Sequence, residues 1–89
     1  MDSVGSMIRH WRKQRRMSQL LLAEAAEVST RHLSCLETGR AHPSRQMVLV
    51  LGSAMDMPLR ERNTLLQAAG YKTGGFVATL YVSEKFNFQ

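Results

Sequence analysis

Apolar residues recur at intervals of three or four positions through most of the first seventy residues, and this is the spacing of one face of an α-helix. Polar stretches divide the pattern into five segments. Their apolar positions are Met7 or Ile8 with Trp11; Leu21, Leu22, Ala25 and Ala26; Leu33 and Leu36; Met47, Val50, Leu51 and Ala54; and Leu59, Leu65, Leu66 and Ala69. The sequence therefore predicts an all-α fold of five helices.

Residues with known preferences for helix ends set the predicted boundaries. Serine hydroxyls accept hydrogen bonds from free amides at helix starts, and glycine ends helices because it adopts positive φ without strain. The predicted caps are Ser6, Ser18, Ser29 and Ser44, Pro58 is predicted at the first position of the fifth helix, and Gly39 and Gly70 are predicted as stops. The first helix is then expected to run to about Arg16, after a flexible arm of residues 1–5. Glu27 and Val28 form the predicted turn between the second and third helices.

The pattern changes after Tyr71, so we divide the chain into a helical domain, 6–71, and a C-terminal extension, 72–89. Residues 76–82, FVATLYV, are β-branched, aromatic and uncharged, which predicts a strand. A lone strand leaves its backbone groups unpaired, and pairing with the same strand of a second copy would satisfy them. The predicted dimerisation residues are Phe76, Ala78, Leu80 and Val82. A tail packed on its own domain and a disordered remnant are the alternatives.

Composition narrows the class of partner. The 89 residues suffice for one small domain, and the net charge of +5 with a sequence pI near 10.2 favours an acidic partner. Double-stranded DNA is the commonest partner of a compact basic domain, although proteins of the ribosome and of membrane surfaces are basic too. The single cysteine, Cys35, forms no internal disulfide. With no apolar signal core and no run of membrane-spanning length, we expect a cytoplasmic, nucleoid-associated protein without a membrane partner.

Candidate metal and catalytic chemistry is weak in this chain. His32 and Cys35 are three residues apart, but structural zinc needs about four ligands, and His10 and His42 are isolated in sequence. A cysteine nucleophile would need a base and an orienting group, and no pattern supplies them. We expect no metal, no cofactor and no enzymatic activity.

The stretch from Ser18 to Gly39 resembles the helix-turn-helix of the Xre and phage-repressor (Cro/C1-type) family of bacterial transcription regulators. The resemblance covers roughly residues 7–71. It is carried by Ser18-Gln19, Leu22-Ala23, Val28-Ser29, Leu33, Leu36, Glu37, Gly39-Arg40, Pro43-Ser44 and Leu49 to Met57. One position departs from the family, because Glu27 stands where the turn commonly has glycine.

The resemblance implies roles for particular residues. Thr30, Arg31 and Cys35 would lie at the base edges, with His32 and Ser34 contacting bases or backbone, and Gln19, Arg40, Ser44 and Arg45 would contact phosphates. Arg12 and Glu37 would form a buried structural ion pair. Arg31 can bond O6 and N7 of a guanine; contact with a phosphate alone is its alternative. The alternative for Cys35 is a role as a small, half-buried packing residue.

Charge, helical pattern and resemblance together predict a sequence-specific, double-stranded DNA-binding transcriptional regulator. The resemblance favours a repressor that binds a two-fold operator as a homodimer. The alternative is an antitoxin-like module that binds a protein partner through its C-terminal strand and uses DNA binding for autoregulation.

Overall fold

The computed structural model describes residues 3–72 as five α-helices joined by short turns. They are α1 (Val4–Gln14), α2 (Gln19–Ala26), α3 (Thr30–Thr38), α4 (Arg45–Ala54) and α5 (Leu59–Ala68). No strand occurs within this part of the chain, and the all-α prediction is confirmed. The proposed strand 76–82, with Phe76, Ala78, Leu80 and Val82, lies outside the described residues.

The first helix begins earlier than predicted. Its cap is Ser3, whose side chain accepts a hydrogen bond from the Ser6 amide at 3.2 Å, so Val4 and Gly5 are helical and do not belong to a flexible arm. The helix also ends at Gln14 rather than near Arg16. Gly5 is buried because it lies against the end of α3, where a β-carbon would come within 2.5 Å of the Leu36 carbonyl oxygen. Glycine at this position therefore allows the first turn of α1 to lie close against the backbone of α3.

The predicted serine caps of α2, α3 and α4 are confirmed. Ser18, Ser29 and Ser44 each accept a hydrogen bond from the amide three residues later, all at 3.0 Å. Pro58, predicted as the first residue of α5, is instead its extended N-terminal flank, with φ −59° and ψ 152°. Its carbonyl accepts the first hydrogen bond of the helix, from the Arg62 amide.

Left-handed residues end α2 and α3. Glu27 has φ 57° and ψ 45°, so this position has the backbone geometry that glycine adopts most readily, and Gly39 has φ 85°. The amide of Val28 closes the first turn by donating to the Ala23 carbonyl, and the amide of Arg40 closes the second by donating to the Cys35 carbonyl. Both ends of α3 are therefore locally fixed.

The core lies where α1 packs on α3 and α5, where α2 packs on α3 and α4, and where α4 packs on α5. Its largest fully buried side chains are Ile8, Leu22, Leu33, Leu36, Val48, Leu51, Met55, Met57, Leu65 and Leu66, together with Pro43. Most of these follow the predicted helical spacing. The close packing fixes α3 against its neighbours.

Three predicted core positions are wrong. Leu21 is 51% exposed, Ala25 is exposed and Leu59 is 38% exposed. In α2 the buried face instead consists of Leu22, Ala23 and Ala26. Apolar residues surround much of this helix, so its periodicity alone did not identify the face that meets α3 and α4.

Candidate nucleic-acid interface

The outer face of α3 carries the residues predicted to read DNA. Thr30, Arg31 and His32 are exposed at the beginning of the helix, and Ser34 and Cys35 are half-buried one turn later. Leu33 and Leu36 lie on the other face of the helix and are fully buried in the core. One face of α3 is therefore fixed by packing while the other presents hydroxyl, guanidinium, imidazole and thiol groups to solvent.

Arg12 and Glu37 form a buried pair behind this face. Arg12 Nε donates to Glu37 Oε2 at 2.7 Å and Nη2 donates to Oε1 at 3.2 Å, an approximately bidentate arrangement. A third donor, Nη1, reaches the Met17 carbonyl at 2.9 Å. The pair joins α1 to the end of α3. The bond to Met17 extends the network to the residue just before the Ser18 cap of α2.

Gln19, a predicted phosphate contact, belongs to the same network. Its Nε2 donates to Glu37 Oε1 at 3.0 Å, and the residue is half-buried. The side-chain amide is thus held at the junction of α2 and α3. This arrangement fixes the beginning of α2 relative to the outer face of α3.

The other predicted phosphate contacts follow α3 in the chain. Arg40 is exposed, and Ser44 uses its side-chain oxygen to cap α4, which leaves the hydroxyl hydrogen available as a donor. Arg45 is half-buried at the first position of α4, with its guanidinium carbon 5.6 Å from the centre of the Tyr71 ring. The three residues lie in the loop after α3 and at the beginning of α4.

The connection between α3 and α4 is attached to the end of α5 by two contacts that sequence reasoning missed. Tyr71 Oη donates to the Pro43 carbonyl at 2.8 Å, and His42 Nε2 donates to the Ala69 carbonyl at 2.7 Å. The sequence signal that could have indicated this attachment is Tyr71, an aromatic residue directly after Gly70. Its partner could not be predicted because the two segments are far apart in sequence.

Arg15 is a second missed residue. Its Nε donates to the Met55 carbonyl at 2.8 Å and its Nη2 to the Asp56 carbonyl at 3.0 Å, while its guanidinium lies 5.3 Å from the Trp11 ring centre. It therefore attaches the end of α1 to the turn after α4. In the sequence Arg15 is one of several adjacent basic residues, and no local pattern indicates that it contacts the turn after α4.

Positive charge remains accessible on the surface. Between residues 3 and 72 the Arg12–Glu37 contact is the one ion pair, and neither Arg31 nor Arg40 has a carboxylate partner within that range. Both side chains are exposed. Charged donors without internal partners retain their hydrogen-bonding capacity for an anionic ligand.

Residues 3–72 contain no group of three or more His, Cys, Asp or Glu side chains placed to hold a metal ion. None of the described helices combines the length and apolar character that crossing a membrane requires. His32 and Cys35 remain parts of the outer face of α3.

Comparison with known proteins identifies a related family. A family model described as a helix-turn-helix domain matches residues 3–65, which include α1 to α4 and most of α5. No curated protein matches the chain. The matched span contains every residue that we assign to the outer face of α3 and to the loop that follows it.

Proposed function

Because the chain belongs to the helix-turn-helix domain family, we propose that it binds double-stranded DNA and reads base sequence through α3. The observation that carries the proposal is the outer face of α3. Its first residues, Thr30, Arg31 and His32, are exposed, while the Arg12–Glu37 network and the core hold the helix from behind. Helices of this class enter the major groove with their N-terminal residues against the bases.

Arg31 supplies the main base contact in this proposal. Its planar guanidinium presents paired donors that match O6 and N7 of guanine, and such a contact discriminates by about 1–3 kcal/mol. Thr30 and Cys35 supply apolar surface for a thymine methyl group, and His32 and Ser34 lie beside them on the same helix. In this proposal α3 therefore carries both a charged group and apolar groups that distinguish base pairs.

Phosphate contacts on both sides of α3 set its position in the groove. On one side is the beginning of α2 with Gln19, and on the other are Arg40, Ser44 and Arg45. Contacts of this kind position a protein on the duplex without reading sequence, and cationic ones make its affinity salt-dependent. The net charge of +5 acts in the same direction.

The regulatory role is a repressor that occupies a promoter and blocks polymerase. We propose a homodimer on a two-fold operator, with half-sites about one helical turn apart so that two copies of α3 meet successive major grooves. Support for the dimer comes from the uncharged run 76–82 in the sequence and from the resemblance to phage repressors.

Selection from random duplex DNA tests this function. The full-length protein is incubated with the library at near-physiological salt, where backbone attraction alone does not dominate, and bound DNA is amplified over several rounds. We expect enrichment of a palindrome with half-sites about one turn apart. A folded protein that enriches no sequence would contradict sequence reading, and an enriched single half-site would contradict the dimer.

A further inference from the structure

We propose that Tyr71 is a positioning residue for DNA binding, which orients Arg45 towards a phosphate. The inference rests on the proposed function. It assigns a role in DNA contact to the end of α5, the helix that supplies none of the base-reading or phosphate-contacting residues.

Hydrogen bonds fix Tyr71 on both sides. Its backbone amide donates to the Leu66 carbonyl at 3.0 Å, and its hydroxyl donates to the Pro43 carbonyl at 2.8 Å. The Pro43 side chain is fully buried, and the adjacent His42 bonds the Ala69 carbonyl. The residues just before the start of α4 are thus attached to α5 at two neighbouring points.

The Tyr71 ring lies under the guanidinium of Arg45. The distance of 5.6 Å from the Arg45 Cζ to the ring centre is within the range of cation–π attraction. A cation–π contact of this kind uses none of the guanidinium N–H groups as hydrogen-bond donors to another side chain, so they remain available. Arg45 has no carboxylate partner within residues 3–72. The ring therefore restricts the side chain without consuming its donors.

The contrast with Arg12 shows why this arrangement suits a ligand contact. Arg12 directs three of its donors at Glu37 and at the Met17 carbonyl, and it is buried. Arg45 is half-buried at the first position of α4, beside the Ser44 cap. A helix start favours phosphate through its amides and dipole, and here an oriented guanidinium is added. Restricting a flexible side chain beforehand lowers the entropy lost on binding.

A double-mutant cycle between Tyr71 and Arg45 tests the inference. Affinity for the selected duplex is measured over a salt series for the wild type, Tyr71→Leu, Arg45→Ala and the double variant. We expect Tyr71→Leu to weaken binding about two- to fivefold. The same change should have little effect in the Arg45→Ala background, because its consequence passes through Arg45. Arg45→Ala should reduce the slope of log affinity against log salt by about one.

Two conservative variants separate the contribution of the Tyr71 ring from those of its hydroxyl group and of the Arg45 charge. Tyr71→Phe keeps the ring and loses the bond to Pro43, so it should keep most of the coupling to Arg45. Arg45→Lys keeps the charge and leaves Tyr71 unaltered, but it loses the planar guanidinium that lies over the ring. We expect it to weaken binding by a similar two- to fivefold factor. This variant keeps the test valid if Tyr71→Leu does not fold.

Several outcomes would overturn the inference. Equal loss of affinity from Tyr71→Leu in both backgrounds would mean that Tyr71 does not act through Arg45, and full affinity in Arg45→Lys would mean that the guanidinium over the ring contributes nothing beyond its charge. A wild type that binds specifically while Arg45→Ala has no effect would refute this inference and leave the proposed function standing. A folded wild type that binds no duplex would refute both.

Discussion

Arg12 shows how a single residue is fixed by contacts that its neighbours lack. It lies in a run of basic residues, yet it is 9% exposed while Arg9 and Lys13 are exposed. Helical spacing placed it beside the inward face, and the family resemblance supplied Glu37 as its partner. A bidentate contact of this kind fixes the relative geometry of α1 and α3, while its net effect on stability is offset by the cost of desolvating two charges.

Removing one member of the pair should be costly. We predict that Glu37→Ala lowers the free energy of unfolding by about 3–5 kcal/mol, because it leaves Arg12 buried without its carboxylate. Urea unfolding followed by circular dichroism measures the loss. Arg9→Ala, an exposed cation on the same helix, is the control. A double variant, Arg12→Met with Glu37→Leu, should be more stable than Glu37→Ala; equal or lower stability would show that the pair is strongly stabilising.

Gly5 permits the closest approach between α1 and α3. We predict that Gly5→Ala destabilises the protein by about 1–3 kcal/mol, because its β-carbon would meet the backbone at the end of α3. This exceeds the gain in helix propensity. Gly52→Ala is the matched control, since the atoms nearest to its β-carbon would be side-chain atoms of Arg62, at 3.0 Å and beyond, and not backbone. Thermal melting of both variants measures the difference, and a smaller loss for Gly5→Ala would contradict this packing.

At the scale of elements, α2, its turn and α3 form the unit that presents the proposed reading surface. Local chemistry made the ends of these helices predictable, because Ser18, Ser29 and Gly39 act on amides and carbonyls only a few residues away. The inward face of α2 was less predictable. Leu20, Leu21 and Leu22 are adjacent and equally apolar, and only packing against α3 and α4 buries Leu22 alone.

The left-handed conformation of Glu27 leads to a prediction about the stability of the protein. We expect Glu27→Gly to raise the free energy of unfolding by about 0.5–1 kcal/mol, since glycine adopts φ 57° without strain and this gain exceeds the added entropy of the unfolded chain. Glu27→Ala is the control, because it removes the charge and keeps the β-carbon. If the two variants are equally stabilising in urea, charge rather than backbone strain is responsible.

At the scale of the whole molecule, the sequence predicted the number and order of helices and the outward placement of the α3 residues. The contacts that it did not predict join distant segments. Arg15 to Met55, His42 to Ala69 and Tyr71 to Pro43 each connect residues more than 25 positions apart. Local patterns carry no information about such partners. The family resemblance implied phosphate contacts for the loop after α3, but it did not indicate the attachment of this loop to α5.

Assembly is also a property at this scale. We predict that deleting residues 76–89 weakens self-association and operator binding together, because the uncharged run 76–82 is proposed to join two copies. Light scattering gives the mass of the full-length and shortened proteins, and retention of helical circular dichroism controls for folding. A shortened protein that keeps the mass of a dimer would assign dimerisation to another surface.

The most direct measurement is the affinity of wild type, Arg31→Ala and Arg40→Ala for the selected duplex and for a scrambled duplex at one salt concentration. Arg31→Ala should lower the ratio of the two affinities about 5- to 150-fold, because it removes a base contact. Arg40→Ala should weaken binding to both duplexes alike, because it removes a phosphate contact. Equal loss on both duplexes from Arg31→Ala would contradict the claim that α3 reads sequence through this residue.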